Sequence, residues 1–277
     1  MDFRDDVNLD SSQVEDRGYG GGGGFPGGGV VIGGGGGIVG LIVLVLIFVL
    51  NNVGGVGVQP GHERPPANLA ERCRTGKEAD QIEKCQVVGV VNSIQDYWKT
   101  QLTGYRLAKT VLYSGGVRTA CGAADSSVGP FYCPADRRVY LDLTFFDDLE
   151  SRFGAKGGPF AQAYVIAHEY GHHVQNLLGL LDAGSSVAIE LQADCFAGVW
   201  ARNAYEGGFY AREFTRADIA EALDAAAAVG DDRIQRRSGG RVDPESFTHG
   251  SSKQRTAAFQ RGYDTGNPAR CEGAELV

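Results

Sequence analysis

Two histidines and a glutamate stand close together in the sequence as His168-Glu169-Tyr170-Gly171-His172. On an α-helix, His168 and His172 lie one turn apart on the same face, so both imidazole rings can bind a single tetrahedral zinc ion. Glu169 is rotated by about 100° from His168, beside the open position of such a site, where its carboxylate can take a proton from a zinc-bound water. This motif therefore predicts a catalytic zinc centre with Glu169 as the general base.

A catalytic zinc ion needs a third protein ligand and a vacant position for water. The longer pattern H-E-x-x-H-x-x-G-x-x-H fails here, because Gln175 and Leu178 occupy its last two defined positions. The run E-L-Q-A-D at residues 190–194 offers a carboxylate ligand on the next predicted helix. We expect Glu190 to be the third ligand and Asp194, one turn further on, to accept the N–H of a ligating histidine. Acids inside an otherwise apolar helix are costly to bury without such partners.

A second candidate catalytic residue is His249, which lies in the polar turn over residues 246–251 before a predicted helix. Its imidazole could stabilise the oxyanion of a tetrahedral intermediate, or it could simply cap the helix or lie at the surface. His173 neighbours the zinc motif but points about 100° away from His172, so we expect it to have a structural role.

The zinc motif needs two helices side by side, and the sequence predicts both. Pro159 is well placed as the first residue of one helix, and Gly179 just past its end. The second helix is predicted to run from Ser186 to Tyr205. The remaining predicted elements are three helices and two strands of a small sheet: Glu78–Leu102, Arg106–Tyr113, Arg138–Phe146, Thr215–Gly230 and Ser251–Tyr263. We expect the strand over residues 139–146 to pair with an extended substrate.

The first 61 residues differ in composition from the rest of the chain. They hold 19 of the 42 glycines, in blocks that lack the three-residue period of collagen. No charged side chain occurs from Gly18 to Gly61, and a helix from Val30 to Leu50 would span about 31 Å, which is one hydrocarbon core. A cleaved signal peptide or a buried core helix fits this composition less well. We therefore predict a Gly-rich, acidic, disordered tail over residues 1–29, a transmembrane helix over 30–50, a linker over 51–70 and a globular domain over 71–277.

The cysteines and the net charge indicate where the domain lies and what it does not bind. The six cysteines are too widely spaced for zinc knuckles, and we interpret them as disulfide pairs: Cys73 with Cys85, Cys121 with Cys133, and Cys195 with Cys271. We pair Cys195 with Cys271 only because they are the two cysteines left after the first two pairs. The alternative is six free thiols in a cytosolic protein. We expect a cell-membrane protein that crosses once, with a cytoplasmic N-terminus and an extracytoplasmic catalytic domain. The net charge of −8 offers no basic surface for nucleic acid.

The two motifs at residues 168–172 and 190–194 resemble those of the gluzincins, and the chain as a whole resembles the bacterial neutral zinc metallopeptidase family. The resemblance extends from the Gly-rich N-terminus to the F-T-H-G-S turn at residues 247–251, whereas the acidic tail after Cys271 departs from it. It implies an α+β fold, a mainly helical zincin-like domain with a small β-sheet, preceded by one transmembrane helix. It also implies Zn²⁺ as cofactor and a protein or peptide as substrate, and we expect an endopeptidase rather than an exopeptidase.

Two other functions remain open from the sequence. The protein could be a non-catalytic, membrane-tethered scaffold or interaction protein that binds zinc, or a zinc amidase that acts on cell-wall peptides. Glu169 favours an enzyme, because a structural zinc site does not need a base beside an open position. A site with two histidines and one carboxylate can also accept other divalent ions.

Overall fold

The computed structural model describes residues 1–19 and 68–271, without the side chain of Tyr19. This part of the chain is mainly helical and contains a small sheet. Its α-helices are α1 (Leu69–Arg72), α2 (Gly76–Gln81), α3 (Glu83–Gln101), α4 (Thr144–Ser151), α5 (Pro159–Leu178), α6 (Ser186–Asn203), α7 (Arg216–Ala228), α8 (Asp231–Arg237) and α9 (Ser252–Thr265). Its strands are β1 (Val14–Tyr19), β2 (Lys109–Ser114), β3 (Gly116–Thr119), β4 (Gly122–Asp125), β5 (Phe131–Cys133) and β6 (Arg138–Asp142).

The main sheet has four strands in the order β1-β2-β6-β5. Strands β1, β2 and β6 are parallel, and β5 runs antiparallel to β6. Strands β3 and β4 form a separate antiparallel hairpin. The Cys121–Cys133 disulfide, which the cysteine spacing predicted, joins the turn of this hairpin to β5. It therefore links the hairpin covalently to the main sheet.

The predicted strand over residues 138–146 is only partly correct. Strand β6 ends at Asp142, whose Oδ1 accepts hydrogen bonds from the backbone N–H and the hydroxyl of Thr144 at 3.0 and 2.8 Å. These bonds start α4, so Phe145 and Phe146 are helical and pack in the core. The prediction that the strand over residues 139–146 pairs with a substrate is wrong, because β6 already pairs with β2 on one side and β5 on the other.

Residues 1–19 belong to the folded domain, so the prediction of a disordered tail over residues 1–29 is wrong for its first 19 residues. Phe3 is 2% exposed and packs against α3, where a Cβ added at Gly89 would lie 2.6 Å from its ring. The α-ammonium group of Met1 forms an ion pair with Asp218 of α7. Strand β1 then pairs with β2, and residues 20–29 lie outside the described part of the chain.

This packing conflicts with the predicted membrane arrangement. The predicted transmembrane helix over residues 30–50 lies outside the described residues, and none of the helices in residues 1–19 and 68–271 is long and apolar enough to cross a membrane. Because β1 and β2 hydrogen-bond in one sheet, both must lie on the same side of any membrane. A single crossing between them, with the N-terminus cytoplasmic and the domain outside, would place them on opposite sides.

The helical region before the sheet also differs from its prediction. The helix predicted over residues 78–102 is two helices, α2 and α3, because Ile82 between them is extended, with φ −129° and ψ 115°. The predicted linker over residues 51–70 overlaps α1, whose Leu69 is buried in the core. The Cys73–Cys85 disulfide connects the end of α1 to α3.

Close backbone contacts hold the centre of the domain together. A Cβ at Gly198 of α6 would lie 2.0 Å from the carbonyl oxygen of Phe259, and one at Gly262 of α9 would lie 1.9 Å from that of Cys195. The absence of side chains at both glycines therefore lets α6 and α9 touch along their backbones. The Cys195–Cys271 disulfide fastens the segment after α9 to α6, the helix that carries Cys195.

Candidate metal centre

The two helices that carry the zinc motifs form as the sequence predicts. Helix α5 starts at Pro159 and ends before Gly179, which adopts a left-handed conformation with φ 71°. Helix α6 starts after Ser185, whose hydroxyl accepts the N–H of Ala188. The helices meet at Gly171, where an added Cβ would lie 2.9 Å from the Cα of Ala193. A glycine inside the histidine motif thus lets the second helix approach the first.

This approach brings together His168, His172 and Glu190, with ligand atoms that all lie within 4.8 Å of one another. Glu190 Oε2 lies 3.1 Å from His168 Nε2, and Glu190 Oε1 lies 3.5 Å from His172 Nε2. All three side chains are buried. Glu190 Oε1 is buried without a hydrogen-bond partner among the described residues. Since an unpartnered buried carboxylate oxygen is costly, the arrangement fits a cation between these three residues.

Each histidine is held through its Nδ1 atom by a different acceptor. His168 Nδ1 donates to Asp194 Oδ1 at 2.8 Å, as the sequence predicts. His172 Nδ1 donates to Gln175 Oε1, also at 2.8 Å. The amide of Gln175 is oriented by its Nε2, which donates to the carbonyl of Ile189 at 2.7 Å. Both rings therefore use Nδ1 as a hydrogen-bond donor and turn Nε2 toward Glu190 and the centre.

The carboxylates of the centre stay ionised despite their burial. Burial favours the neutral acid, but the nearby His172 and His168 outweigh it and hold the pKa of Glu190 well below its usual range. Burial also favours the neutral acid of Asp194, but Arg255 and His168 outweigh it and lower the pKa of Asp194 to about 2. Glu190 is therefore a charged ligand, which is the form that binds a divalent metal.

Glu169 is buried beside the ligands, but it is not one of the three residues that converge. Burial raises the pKa of its carboxyl group, and the attraction of His168 and His172 only partly offsets this effect. A carboxylate whose pKa is raised is a stronger proton acceptor than a solvated one. These properties suit a general base.

His249 is held near this centre by Asp231, the first residue of α8. Asp231 Oδ1 lies 3.1 Å from His249 Nδ1, and Oδ2 accepts the backbone N–H groups of Thr248, His249 and Gly250 at 2.8, 2.7 and 2.9 Å. The histidine is buried, and its attraction contributes to the low pKa of Glu190. The turn over residues 248–250 is thus clamped in place, and sequence analysis missed Asp231 because 18 residues separate it from His249.

The comparisons with known proteins agree with this geometry. The family described as "Putative neutral zinc metallopeptidase" matches the chain over residues 1–274. The chain belongs to this family. It is 48% identical over 244 residues to the uncharacterized protein Rv2575 of Mycobacterium tuberculosis, covering 78% of this chain and 83% of the relative. It is 44% identical over 253 residues to the uncharacterized protein YpfJ of Escherichia coli, covering 84% and 85%. No solved structure matches it.

Membership in the neutral zinc metallopeptidase family supports zinc as the metal that His168, His172 and Glu190 could hold. When bound, a zinc ion lowers the pKa of a coordinated water to about 7. The family places the protein among the metallopeptidases.

The neighbouring His173 lies outside the ligand set, in agreement with the structural role expected for it. Its Nε2 donates to the carbonyl of Arg106 at 2.6 Å, so its Nδ1 accepts the hydroxyl of Tyr132 at 3.0 Å. Burial lowers the pKa of His173 to about 4, and the ring is therefore neutral. It ties α5 to β5 and to the segment before β2.

Proposed function

We propose that this metallopeptidase hydrolyses peptide bonds at a zinc centre formed by His168, His172 and Glu190, with the ligand set and helix pair of a zincin-like fold. The observation that carries the proposal is the convergence of three buried ligands from α5 and α6, one of them with an unpartnered carboxylate oxygen. The adjacent Glu169 supplies a base that a purely structural metal site does not need.

The side chains around the metal have separate roles in this reaction. Glu169 accepts a proton from the attacking water and passes it to the leaving amine. His249, oriented by Asp231, donates a hydrogen bond to the oxygen of the carbonyl under attack. Asp194 and Gln175 keep the two ligating histidines in the tautomer that leaves Nε2 free for the metal.

We propose an endopeptidase that acts in an oxidising, extracytoplasmic compartment. All three disulfides predicted from the sequence are present, and all the cysteines among the described residues are paired. Disulfides persist outside the cytoplasm and are rare within it. The N-terminal segment, which packs in the same domain, belongs to the same compartment.

The experiment that tests the metal is the cleavage of unfolded casein by the purified protein before and after removal of metal by a chelator. We expect cleavage to stop without metal and to return with one equivalent of zinc. A Glu190→Gln variant should bind zinc at least tenfold more weakly, because it removes the charged ligand. Cleavage that persists in the metal-free protein would contradict the proposal.

The products of the same reaction separate the remaining alternatives. An endopeptidase releases internal casein fragments, whereas an exopeptidase releases single amino acids or dipeptides. Cleavage of cell-wall peptides without any cleavage of casein would favour an amidase instead.

A further inference from the structure

A buried arginine on α9, Arg255, contacts His168 from its Nδ1 side, opposite the Nε2 atom that faces Glu190. We propose that Arg255 is a positioning residue that fixes the imidazole of His168 by locking the carboxylate of Asp194. The proposal rests on the zinc centre proposed above, but its readouts do not depend on peptide cleavage. No sequence pattern indicates this role, because Arg255 lies 61 residues from Asp194 on a different helix.

The contact between Arg255 and Asp194 is bidentate. Arg255 Nε donates to Asp194 Oδ2 at 2.8 Å, and Nη2 donates to Oδ1 at 2.9 Å. Arg255 is 3% exposed and Asp194 is fully buried. Two parallel hydrogen bonds between a planar guanidinium and a carboxylate fix the plane of the carboxylate as well as its position.

The oxygen that Arg255 fixes is the one that holds the metal ligand. Asp194 Oδ1 also accepts the Nδ1–H of His168 at 2.8 Å and the hydroxyl of Tyr164 at 2.6 Å. Arg255 Nη2 lies 3.3 Å from His168 Nδ1, so the guanidinium packs directly against the ring that it positions. A rotation of the carboxylate would therefore turn the Nε2 atom of His168 away from the metal.

The fold delivers Arg255 to this place rigidly. Helix α9 begins at the capping box of Ser251 and Gln254, directly before Arg255, and its backbone touches α6 near Gly198. Arg255 Nη1 also reaches the carbonyl of Val229 at the end of α7, at 3.4 Å. Four helices, α5, α6, α7 and α9, therefore meet at one guanidinium group. The positive charge of Arg255 balances the negative charge of Asp194. The negative charge of Glu190 then remains to balance the charge of the metal ion.

The test compares Arg255→Lys with Arg202→Lys, the same substitution at an exposed position of α6. Lysine keeps the charge but cannot form the bidentate contact. We expect Arg255→Lys to weaken zinc binding by about 10- to 100-fold and to change the visible absorption spectrum of the cobalt-substituted protein. Arg202→Lys should leave both unchanged. Wild-type zinc affinity and an unaltered cobalt spectrum in Arg255→Lys would overturn the proposal.

A double-mutant cycle separates positioning from a loss of general stability. If Arg255 acts through Asp194, Arg255→Lys should weaken zinc binding little further in an Asp194→Asn background. Independent, additive losses would overturn the proposal. The unfolding midpoint of the metal-free variants shows whether they fold. Absence of casein cleavage by the wild-type protein would defeat the proposed function and leave these zinc and cobalt measurements interpretable.

Discussion

His168 and His172 bind through the same atom but are held by chemically different groups. His168 donates to a carboxylate that is itself fixed by an arginine, whereas His172 donates to the neutral amide of Gln175. A carboxylate partner raises the basicity of an imidazole ligand more than an amide does. The centre therefore combines one electron-rich histidine, one ordinary histidine and one charged glutamate.

The role of His249 is tested by His249→Ala and Asp231→Asn. If His249 stabilises the developing oxyanion, His249→Ala should lower kcat by about 100-fold while zinc affinity and KM change little. Asp231→Asn should lower kcat in the same direction by a smaller factor, because the clamped turn loosens but the imidazole remains. The measurement is steady-state cleavage of a fluorogenic peptide together with zinc titration. Unchanged kcat in His249→Ala would assign the histidine a structural role only.

At the scale of elements, the ligands depend on how closely α5 and α6 approach. The contact point is Gly171, which faces Ala193 from inside the histidine motif. The absence of a side chain at Gly171 lets the backbone of Ala193 come this close. The motif thus encodes both the ligands and the packing that completes them.

We expect Gly171→Ala to separate the two helices. The new methyl group would lie 2.9 Å from the Cα of Ala193, so the variant should lose about 1–3 kcal/mol of unfolding free energy and bind zinc more weakly. Gly184→Ala is the control, since its Cβ would meet Ala188 at an ordinary 3.4 Å. Urea unfolding and zinc titration measure both effects. Equal behaviour of the two variants would show that this approach does not set the ligand geometry.

The elements differ in how well the sequence predicts them, for physical reasons. Helices α5 and α6 are predictable because local signals mark them: Pro159 and Gly179 at the ends of one, and a chemical motif on each. Strand β1 is not, because Val14 is the only buried apolar side chain among those that the structure describes in this strand, and its pairing with β2 is a long-range contact. Hydrogen bonds between distant elements define Asp231 and Arg255, so they escape prediction. Gln175 lies only one turn from His172, but its amide is oriented by the carbonyl of Ile189 on α6, which the sequence does not reveal.

At the scale of the whole molecule, the N-terminal residues close the domain. Strand β1 extends the sheet, Lys84 of α3 pairs with Asp16 at 2.6 Å, and Phe3 fills a core position against Tyr210. The segment is therefore part of the fold that supports the metal helices. The glycine-rich composition of residues 20–29 predicts a disordered tail that begins at residue 1, and this prediction is wrong for residues 1–19.

Because residues 1–19 pack in the same domain as α3, we expect both to lie on the same side of any membrane. Asp6→Cys and Lys99→Cys place thiols at exposed positions of the N-terminal segment and of α3. A membrane-impermeant maleimide applied to spheroplasts that express either variant should label both, because both positions belong to the single domain that we propose to be extracytoplasmic. Labelling of Lys99→Cys with protection of Asp6→Cys would contradict the packing of β1 on β2.

The most direct test of peptide hydrolysis at this centre is the rate of casein cleavage by zinc-loaded Glu169→Gln protein, compared with the wild type and with the exposed Glu213→Gln control. Because Glu169 is the proposed base and is not one of the three converging ligands, we expect Glu169→Gln to bind zinc as tightly as the wild type and to lose about 100- to 10,000-fold in kcat. Glu213→Gln should retain full activity. Tight zinc binding with cleavage that does not depend on Glu169 would contradict its role as the base. Tight zinc binding with no cleavage of any protein or peptide would contradict peptide hydrolysis and favour a zinc-binding scaffold.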